Sequence, residues 1–523
     1  MVLYFFKYTY LNMLSTFVKN TVQILIHVNS IYNFSLKNSP MNKKIIKIEN
    51  VIPRMDYSQF QHPINWTINK NEHWAIIGPN GSGKSLLIDI LIGKHALKDG
   101  VIICLDENGL QKPIKDFIKF VAFRDIYSLT DFQNGYYQQR WNIGLEEDIP
   151  IVKNILFKER NQEWINYLIS IFKITDLLEK KINLLSSGEL RKFLIVRSLS
   201  TKPRILILDN PFIGLDKSSR KILQKVLTDL AKIDNLQIII IASDIHDIPP
   251  IITHILPIKD KKLLPYSLKS DFLLNYNLHK SLFQSKINES LLPHLSDKNE
   301  KNDFKYALLL KDITICYGTR TILKNLSWKV KKGEKWALLG PNGSGKSTLL
   351  SLIAADNPQA YANDITLFDR KRGTGESIWD IKKHIGYISP EMHLYYHKNV
   401  NCLDVVGSGF FDTIGLYKKC KENQKITALK WMKIFGIENL KNTSFLSIST
   451  GEQRLVLLAR VFVKDPSLII LDEPLHGLDM ANKQQIKKLI EKFCTANKAL
   501  IYVTHYKEEI PTITNKVFTL SKQ

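Results

Sequence analysis

Five cysteines in 523 residues (Cys104, Cys316, Cys402, Cys420 and Cys494) form no C-x-x-C pair and show no metal-ligand spacing. That excludes a disulfide framework and a cysteine-held zinc module, and it fits a reduced compartment. No stretch approaches the roughly 20 apolar residues of a bilayer-spanning helix. The chain is therefore expected to be cytoplasmic, with any membrane role peripheral, on the cytoplasmic face. Acids are scarce beside bases, 50 Asp and Glu against 73 Lys and Arg, a net charge of +23. Such a balance invites a nucleic-acid or membrane-surface reading. The lysines are spread along the chain and accompanied by abundant Asn and Ile, so the codon bias of an AT-rich genome is the stronger account.

What is present is a repeated octapeptide. GPNGSGKS stands at Gly78 to Ser85 and again at Gly340 to Ser347, each time after an apolar run beginning Trp-Ala (Trp74, Ala75, Ile76, Ile77; Trp336, Ala337, Leu338, Leu339). The run reads as a buried strand and the apolar residues after Lys-Ser as a helix, which puts the glycines on a strand-to-helix turn. Such a turn aims successive N–H groups at a phosphate, at the positive end of the helix. The predicted triphosphate contacts are Gly78, Asn80, Gly81, Ser82, Gly83, Lys84 and Ser85 in the first copy. In the second they are Gly340, Asn342, Gly343, Ser344, Gly345, Lys346, Ser347 and Thr348. Lys84 and Lys346 would reach the β- and γ-phosphates, and the hydroxyls of Ser85 and Ser347 would ligate Mg²⁺.

The repetition extends far beyond the octapeptide. Trp66, Trp74 and Gly78 recur as Trp328, Trp336 and Gly340 at one constant spacing, and Ser186 and Asp209 recur as Ser449 and Asp472 at nearly the same one. This is duplication of a whole unit. Short apolar runs (Ile205 to Leu208, Ile238 to Ala242) separated by helix-like stretches indicate a parallel sheet flanked by helices, with active groups beyond the carboxyl ends of its strands. The expected organisation is an N-terminal extension over 1–42, a first unit over 43–258, a Lys-, Asn- and Ser-rich linker over 259–303 and a second unit over 304–523. Residues 1–40 contain no acid and no arginine, unlike an arginine-favouring targeting peptide. A misassigned start is expected, with Met41 as the true beginning.

Leu468 to Leu471 leads into Asp472-Glu473-Pro474. An acid at the tip of a buried strand, downstream of a phosphate loop, is placed to hold Mg²⁺, and the next carboxylate to polarise an attacking water. Upstream lies Ser449-Thr450-Gly451-Glu452-Gln453-Arg454, with its counterpart Ser186-Ser187-Gly188-Glu189-Leu190-Arg191. Alone, such a turn reads equally as a serine helix cap. Between a phosphate loop and an Asp-Glu strand, the two turns resemble the signature of ATP-binding cassette ATPases, in the variants LSSGE and ISTGE. Gly214-Leu215-Asp216 and Gly477-Leu478-Asp479 resemble the D-loop of that family, Tyr317 its adenine-stacking aromatic and His505 its switch histidine. The endings Glu508-Glu509-Ile510-Pro511 and Asp247-Ile248-Pro249-Pro250 resemble the tandem ModF-like, molybdate-transport group.

The resemblance implies an α/β fold of two P-loop nucleotide-binding domains in tandem. Each would be a mainly parallel sheet with flanking helices, an antiparallel β part and a helical signature subdomain. It also implies that the two cassettes pair head to tail, each ATP lying between one phosphate loop and the other unit's signature. One site would join Lys346, Ser347, Asp472, Glu473 and His505 to Ser186, Ser187, Gly188 and Glu189. The other would join Lys84, Ser85 and Asp209 to Ser449, Thr450, Gly451 and Glu452. In this second set the glutamate's place is held by Asn210, and the histidine's is matched to Asp244, with His246 two residues on. Asparagine can position water but has no basic carboxylate, so this site is expected to bind ATP and hydrolyse it slowly or not at all. The counterpart of Tyr317 is Met55, with Tyr57 as a substitute. The Q-loop glutamine is missing from its place, which holds Pro390 in one copy and Arg124 in the other; Gln133, Gln138 and Gln139 lie downstream of Arg124. The stretch 127–141 is read as either a partner-facing surface or a locally packed helix. The expected cofactors are ATP and Mg²⁺ and the expected partners separate membrane-spanning transporter subunits, with a ribosome- or nucleic-acid-associated ATPase as the alternative.

Overall fold

The computed structural model describes residues 44–55, 60–122, 150–158, 161–182, 185, 187–212, 215, 217–292, 304–317, 320–341, 343–390, 392, 396, 399–413 and 418–521. The extension over 1–42, the stretch 127–141, and Tyr57, Arg124, Ser186, Gly214, Asp216 and Asn342 lie outside the described residues.

Each repeat builds the same pair of sheets. In the first, Lys44–Pro53 pairs antiparallel with Ile64–Asn69 on one side and Leu97–Cys104 on the other. Beside this small sheet stands a larger one in which Trp74–Ile77 lies between Gln237–Ala242 and His254–Lys259, followed by Ile205–Asp209 and Ile118–Ala122, all parallel. In the second repeat Lys335–Leu339 lies between Ala499–Val503 and Lys516–Thr519, followed by Leu468–Asp472 and Ile385–Ile388. Its antiparallel sheet is built on Tyr306–Tyr317 and Arg320–Lys331. The central strands are buried residue by residue. That is why they read as unbroken apolar runs: helices cover one face, the antiparallel sheet with a further helix covers the other, and no alternation survives.

Strand register settles which residues correspond. Trp74 pairs with Ile239, and its equivalent Trp336 with Ile501. Counting forward from Ile239 and Ile501, His505 matches Ser243, and Asp244 matches Tyr506. The pairing of Asp244 with His505 expected from sequence is thus off by one residue. The two repeats differ in length by one residue between the Asp209 and Asp472 strands and the next strand, and only the hydrogen-bonded register shows where.

The Lys- and Asn-rich stretch after residue 258 is packed onto both units. Ser267–Leu268 pairs antiparallel with His254 and Ile255, and Phe272 and Leu282 are buried in the first unit's core. Ile287 is buried in the second unit's core, and the Asn288 N–H donates to the Ile434 carbonyl at 2.9 Å. Of the leucines in this stretch, Leu282 lies in the core and Leu264 and Leu278 pack against it, while Leu268, Leu273, Leu274 and Leu291 are exposed. Among the described residues, no helix is long and apolar enough to cross a membrane.

Candidate functional site

Both octapeptides form the turn between a buried strand and a helix, Lys84–Leu91 in one repeat and Lys346–Ile353 in the other. Gly83 and Gly345 cap these helices at φ 103° and 90°, a left-handed conformation that side-chain-bearing residues rarely adopt. With no side chain at either cap, the first N–H groups of each helix stay open to an anion. Lys84 Nζ donates to the carbonyls of Gly78 and Pro79 at 2.7 and 2.8 Å, and Lys346 Nζ to those of Gly340 and Pro341 at 2.7 and 2.9 Å. Each ammonium thus folds back over its own loop. The hydroxyls of Ser82 and Ser344 are buried with no hydrogen-bond partner. Open helix termini, a lysine held on the loop and an unsatisfied buried hydroxyl all fit a polyanionic group.

The acidic residues stand at the carboxyl ends of adjacent strands. Asp209 and Asp472 are both buried, and the residue after each has a left-handed backbone with φ 46°, Asn210 in one repeat and Glu473 in the other. Asparagine adopts that conformation easily, whereas glutamate does so at a cost. Glu473 is held there by His505, whose Nε2 lies 2.9 Å from Oε1. Burial pushes the Glu473 carboxyl up, but the His505 hydrogen bond and the charges of His476, His505 and Arg454 outweigh it and bring it down to about 2. The carboxyl is thus held ionised, with a histidine fixing its orientation. Asn210 instead donates Nδ2–H to Asp209 Oδ1 at 2.7 Å, and its buried carbonyl oxygen has no partner. Ser243 stands where His505 does, and the His246 ring pairs with Asp244 at 2.9 Å, not with Asn210.

Two arginines that sequence reasoning quoted without a role support these turns. Arg454, in the helix Thr450–Phe462, donates to the carbonyls of Ser389, Asp472, Glu473 and Pro474. Its counterpart Arg191 donates to the Pro211 carbonyl. Burial lowers both guanidinium values to about 10, with neighbouring acids opposing the shift. The signal was available: a buried, repeated arginine on an otherwise apolar helix face has to satisfy something polar. Ser449 caps the same helix in a reciprocal box with Glu452, so the helix-cap and signature readings of this turn coexist.

The units meet across these motifs. The Asn80 N–H donates to Asp479 Oδ2 at 3.1 Å, and Asn80 Nδ2 to the Gly477 carbonyl at 3.2 Å. A Cβ on Gly451 would lie 2.0 Å from the Asn80 side chain, so only glycine allows this approach. The first phosphate loop is therefore covered by the second unit's signature and D-loop. Burial there lowers Lys84 to about 8 against the opposing charges of Asp479, Asp209 and Glu452. On the other side Glu473 and Tyr506 of the second unit oppose the lowering of Arg191 by burial. The first signature helix begins at Ser187–Leu199, where Glu189 pairs with Lys180 at 3.0 Å. Tyr317 is oriented by the Asn357 amide, which donates to its hydroxyl at 2.9 Å, while Met55 is exposed. No histidine–carboxylate cluster of metal-binding size occurs among the described residues. The donor set on offer, one hydroxyl (Ser85 or Ser347) and one carboxylate (Asp209 or Asp472), suits Mg²⁺, which keeps waters and takes substrate phosphates as its remaining ligands.

The family model described as ABC transporter matches residues 61–213 and 323–476. The chain is 34% identical over 456 residues to the ABC transporter ATP-binding protein ModF of Escherichia coli, covering 85% of this chain and 90% of that one. It is 27% identical to an uncharacterized ABC transporter ATP-binding protein of Schizosaccharomyces pombe, covering 87% and 93%. Among solved structures, the archaeal ribosome recycling factor bound to a ribosomal stalk protein matches with a TM-score of 0.48 at 18% identity, covering 90% and 87%. With two family matches in one chain and a long alignment to a tandem relative, the protein belongs to the ABC transporter family of ATP-binding proteins and is a tandem cassette ATPase.

Proposed function

We propose that this chain hydrolyses ATP mainly at the site built on the second phosphate loop, and that it energises a transporter whose membrane-spanning subunits are separate chains. One observation carries the asymmetry: the same φ of 46° holds Glu473 in one repeat and Asn210 in the other. Glu473 has His505 within 2.9 Å, and the register gives Asn210 a serine instead. Lys346, Ser347 and Thr348 would bind the triphosphate, with Ser186, Ser187, Gly188 and Glu189 approaching from the first unit and Tyr317 under the base. Ser347 and Asp472 would hold Mg²⁺, which supplies charge neutralisation at the phosphates. Glu473 takes the proton of the attacking water, and His505 keeps its carboxylate turned toward the phosphate. At the other site Lys84, Ser85 and Asp209, with Ser449, Thr450, Gly451 and Glu452, would retain ATP. Neither Asn210 nor Ser243 offers a base, and Asp244 faces Lys483.

The transport role rests on the relative named ModF, and a molybdate-type cargo rests on that likeness alone, because no residue of the site reads a cargo. The test is Glu473→Gln, followed by fractionation of a lysate with ATP. Loss of turnover with ATP still bound supports the site assignment. ATP-dependent recovery with membranes supports the transport role. Recovery with ribosomes, lost steeply with salt as phosphate contacts are, would replace that role with a ribosome-associated one.

A further inference from the structure

The turn that carries His505 is fastened to the other unit. Tyr506 follows His505 directly and caps the short helical turn Lys507–Glu509. Its main-chain N–H donates to Thr504 Oγ1 at 3.1 Å, within its own turn. Its hydroxyl turns outward: it donates to the Leu215 carbonyl at 2.8 Å and accepts from Arg220 Nη2 at 3.2 Å. Leu215 is the middle residue of the first unit's D-loop, and Arg220 lies on the helix that follows it, Lys217–Leu230. Arg220 is pinned in turn by an ion pair with Asp247 and by the Phe212 carbonyl.

The pseudo-symmetric position is built differently. Asp244, the register partner of Tyr506, faces Lys483 of the second unit at 3.5 Å, and Lys483 is shared with Glu509 at 3.3 Å. Burial pushes Asp244 up, but the Lys483 charge and the His246 hydrogen bonds hold it below the ordinary carboxylate range. The half with Asn210 therefore closes on a charge pair, and the half with Glu473 on a neutral phenol. A carboxylate at 506 would add a second negative charge beside Glu473 and the incoming phosphate. A phenol ties the turn down without one.

We propose that Tyr506 is a positioning residue for hydrolysis: through its hydroxyl it ties the His505 turn to the first unit, so that the Glu473–His505 pair is set only when the two units are docked. The inference rests on turnover running at the Glu473 site. Leu215 takes part through its backbone carbonyl and Arg220 through its guanidinium.

The experiment is steady-state hydrolysis by the full chain carrying Tyr506→Phe, which removes the hydroxyl and nothing else. Expected are a fall in kcat of about tenfold, in line with two lost hydrogen bonds, a KM for ATP within twofold of the parent and a melting temperature lowered by only a few degrees. Arg220→Lys keeps the charge toward Asp247 but loses the planar fork, and should lower kcat in the same way. The two changes combined should cost less than the product of their single effects. A kcat within twofold of the parent in Tyr506→Phe, or KM rising in step with the loss of kcat, overturns the proposal. Glu473→Gln, run in parallel, separates the two levels. Turnover surviving in Glu473→Gln defeats the site assignment, whereas its loss there beside a normal Tyr506→Phe defeats only the positioning role.

Discussion

Restoring the missing base to the first site tests whether Asn210 and Ser243 together silence it. The substitutions are Asn210→Glu and Ser243→His, singly and together, in a chain already disabled by Glu473→Gln. The backbone at 210 is left-handed, φ 46°, where asparagine rests easily. A glutamate there costs about 1–2 kcal/mol. It also gives up the 2.7 Å hydrogen bond from Asn210 to the Asp209 carboxylate, worth about 1.5–3 kcal/mol as a bond to a charged group. Asn210→Glu alone is therefore destabilised by roughly 2.5–5 kcal/mol, with its carboxylate unheld. A histidine at 243 can meet it as His505 meets Glu473 at 2.9 Å, returning about 1.5–3 kcal/mol. General-base catalysis is worth about 10²–10⁴ in rate, so phosphate release by the pair should exceed the Glu473→Gln parent by on the order of 10². The single changes should do far less. Phosphate release and urea unfolding measure both halves of the argument. Asn210→Glu hydrolysing as fast as the pair would refute the need for the histidine, and no gain from the pair would refute the equivalence of 210 with 473.

Two further outcomes follow from the buried first site. Burial brings Lys84 down to about 8, against roughly 10.4 in an unfolded chain, so the unfolded state binds more protons between those values. Nucleotide-free stability should rise with pH across that window, as the cost of burying the charged form is relieved. Phosphate binding favours the ammonium, so ATP binding at this site, isolated by Lys346→Ala, should take up a proton and weaken above about pH 8. Calorimetry in two buffers of different ionisation enthalpy measures the uptake. Gly451→Ala places a Cβ 2.0 Å from the Asn80 side chain, whose bond to the Gly477 carbonyl must give way. Alanine otherwise favours a helix by up to ~1 kcal/mol, so the second unit should melt no earlier while turnover falls about tenfold or more, consistent with lost docking contacts. An unaffected rate would show that the units need not approach this closely.

The split between reading and structure follows residue type and distance. The two octapeptides were legible because strand, glycine turn, lysine and helix occupy consecutive positions, and the phosphate chemistry needs little beyond that local order. Asp472-Glu473 was legible for the same reason, as a strand tip. Arg454 was in plain view beside the signature, but its four carbonyl partners lie on segments distant in sequence. The Lys-rich stretch after 258 looked like a linker because its charges dominate composition, while Phe272 and Leu282 go into the core.

By itself the sequence determined the duplication, the parallel α/β units, the two phosphate loops and the asparagine that stands where the other repeat has a glutamate. All of these are written in residue identity at short spacing. Tertiary structure decided that Ser243, not Asp244, answers His505, because a one-residue difference in loop length is resolved only by which strand residues share hydrogen bonds. It also decided that Asn80 meets Asp479, Lys483 meets Asp244 and Tyr506 meets Leu215. Those partners are hundreds of residues apart, and no local pattern encodes a contact that exists only when two folded surfaces close on each other.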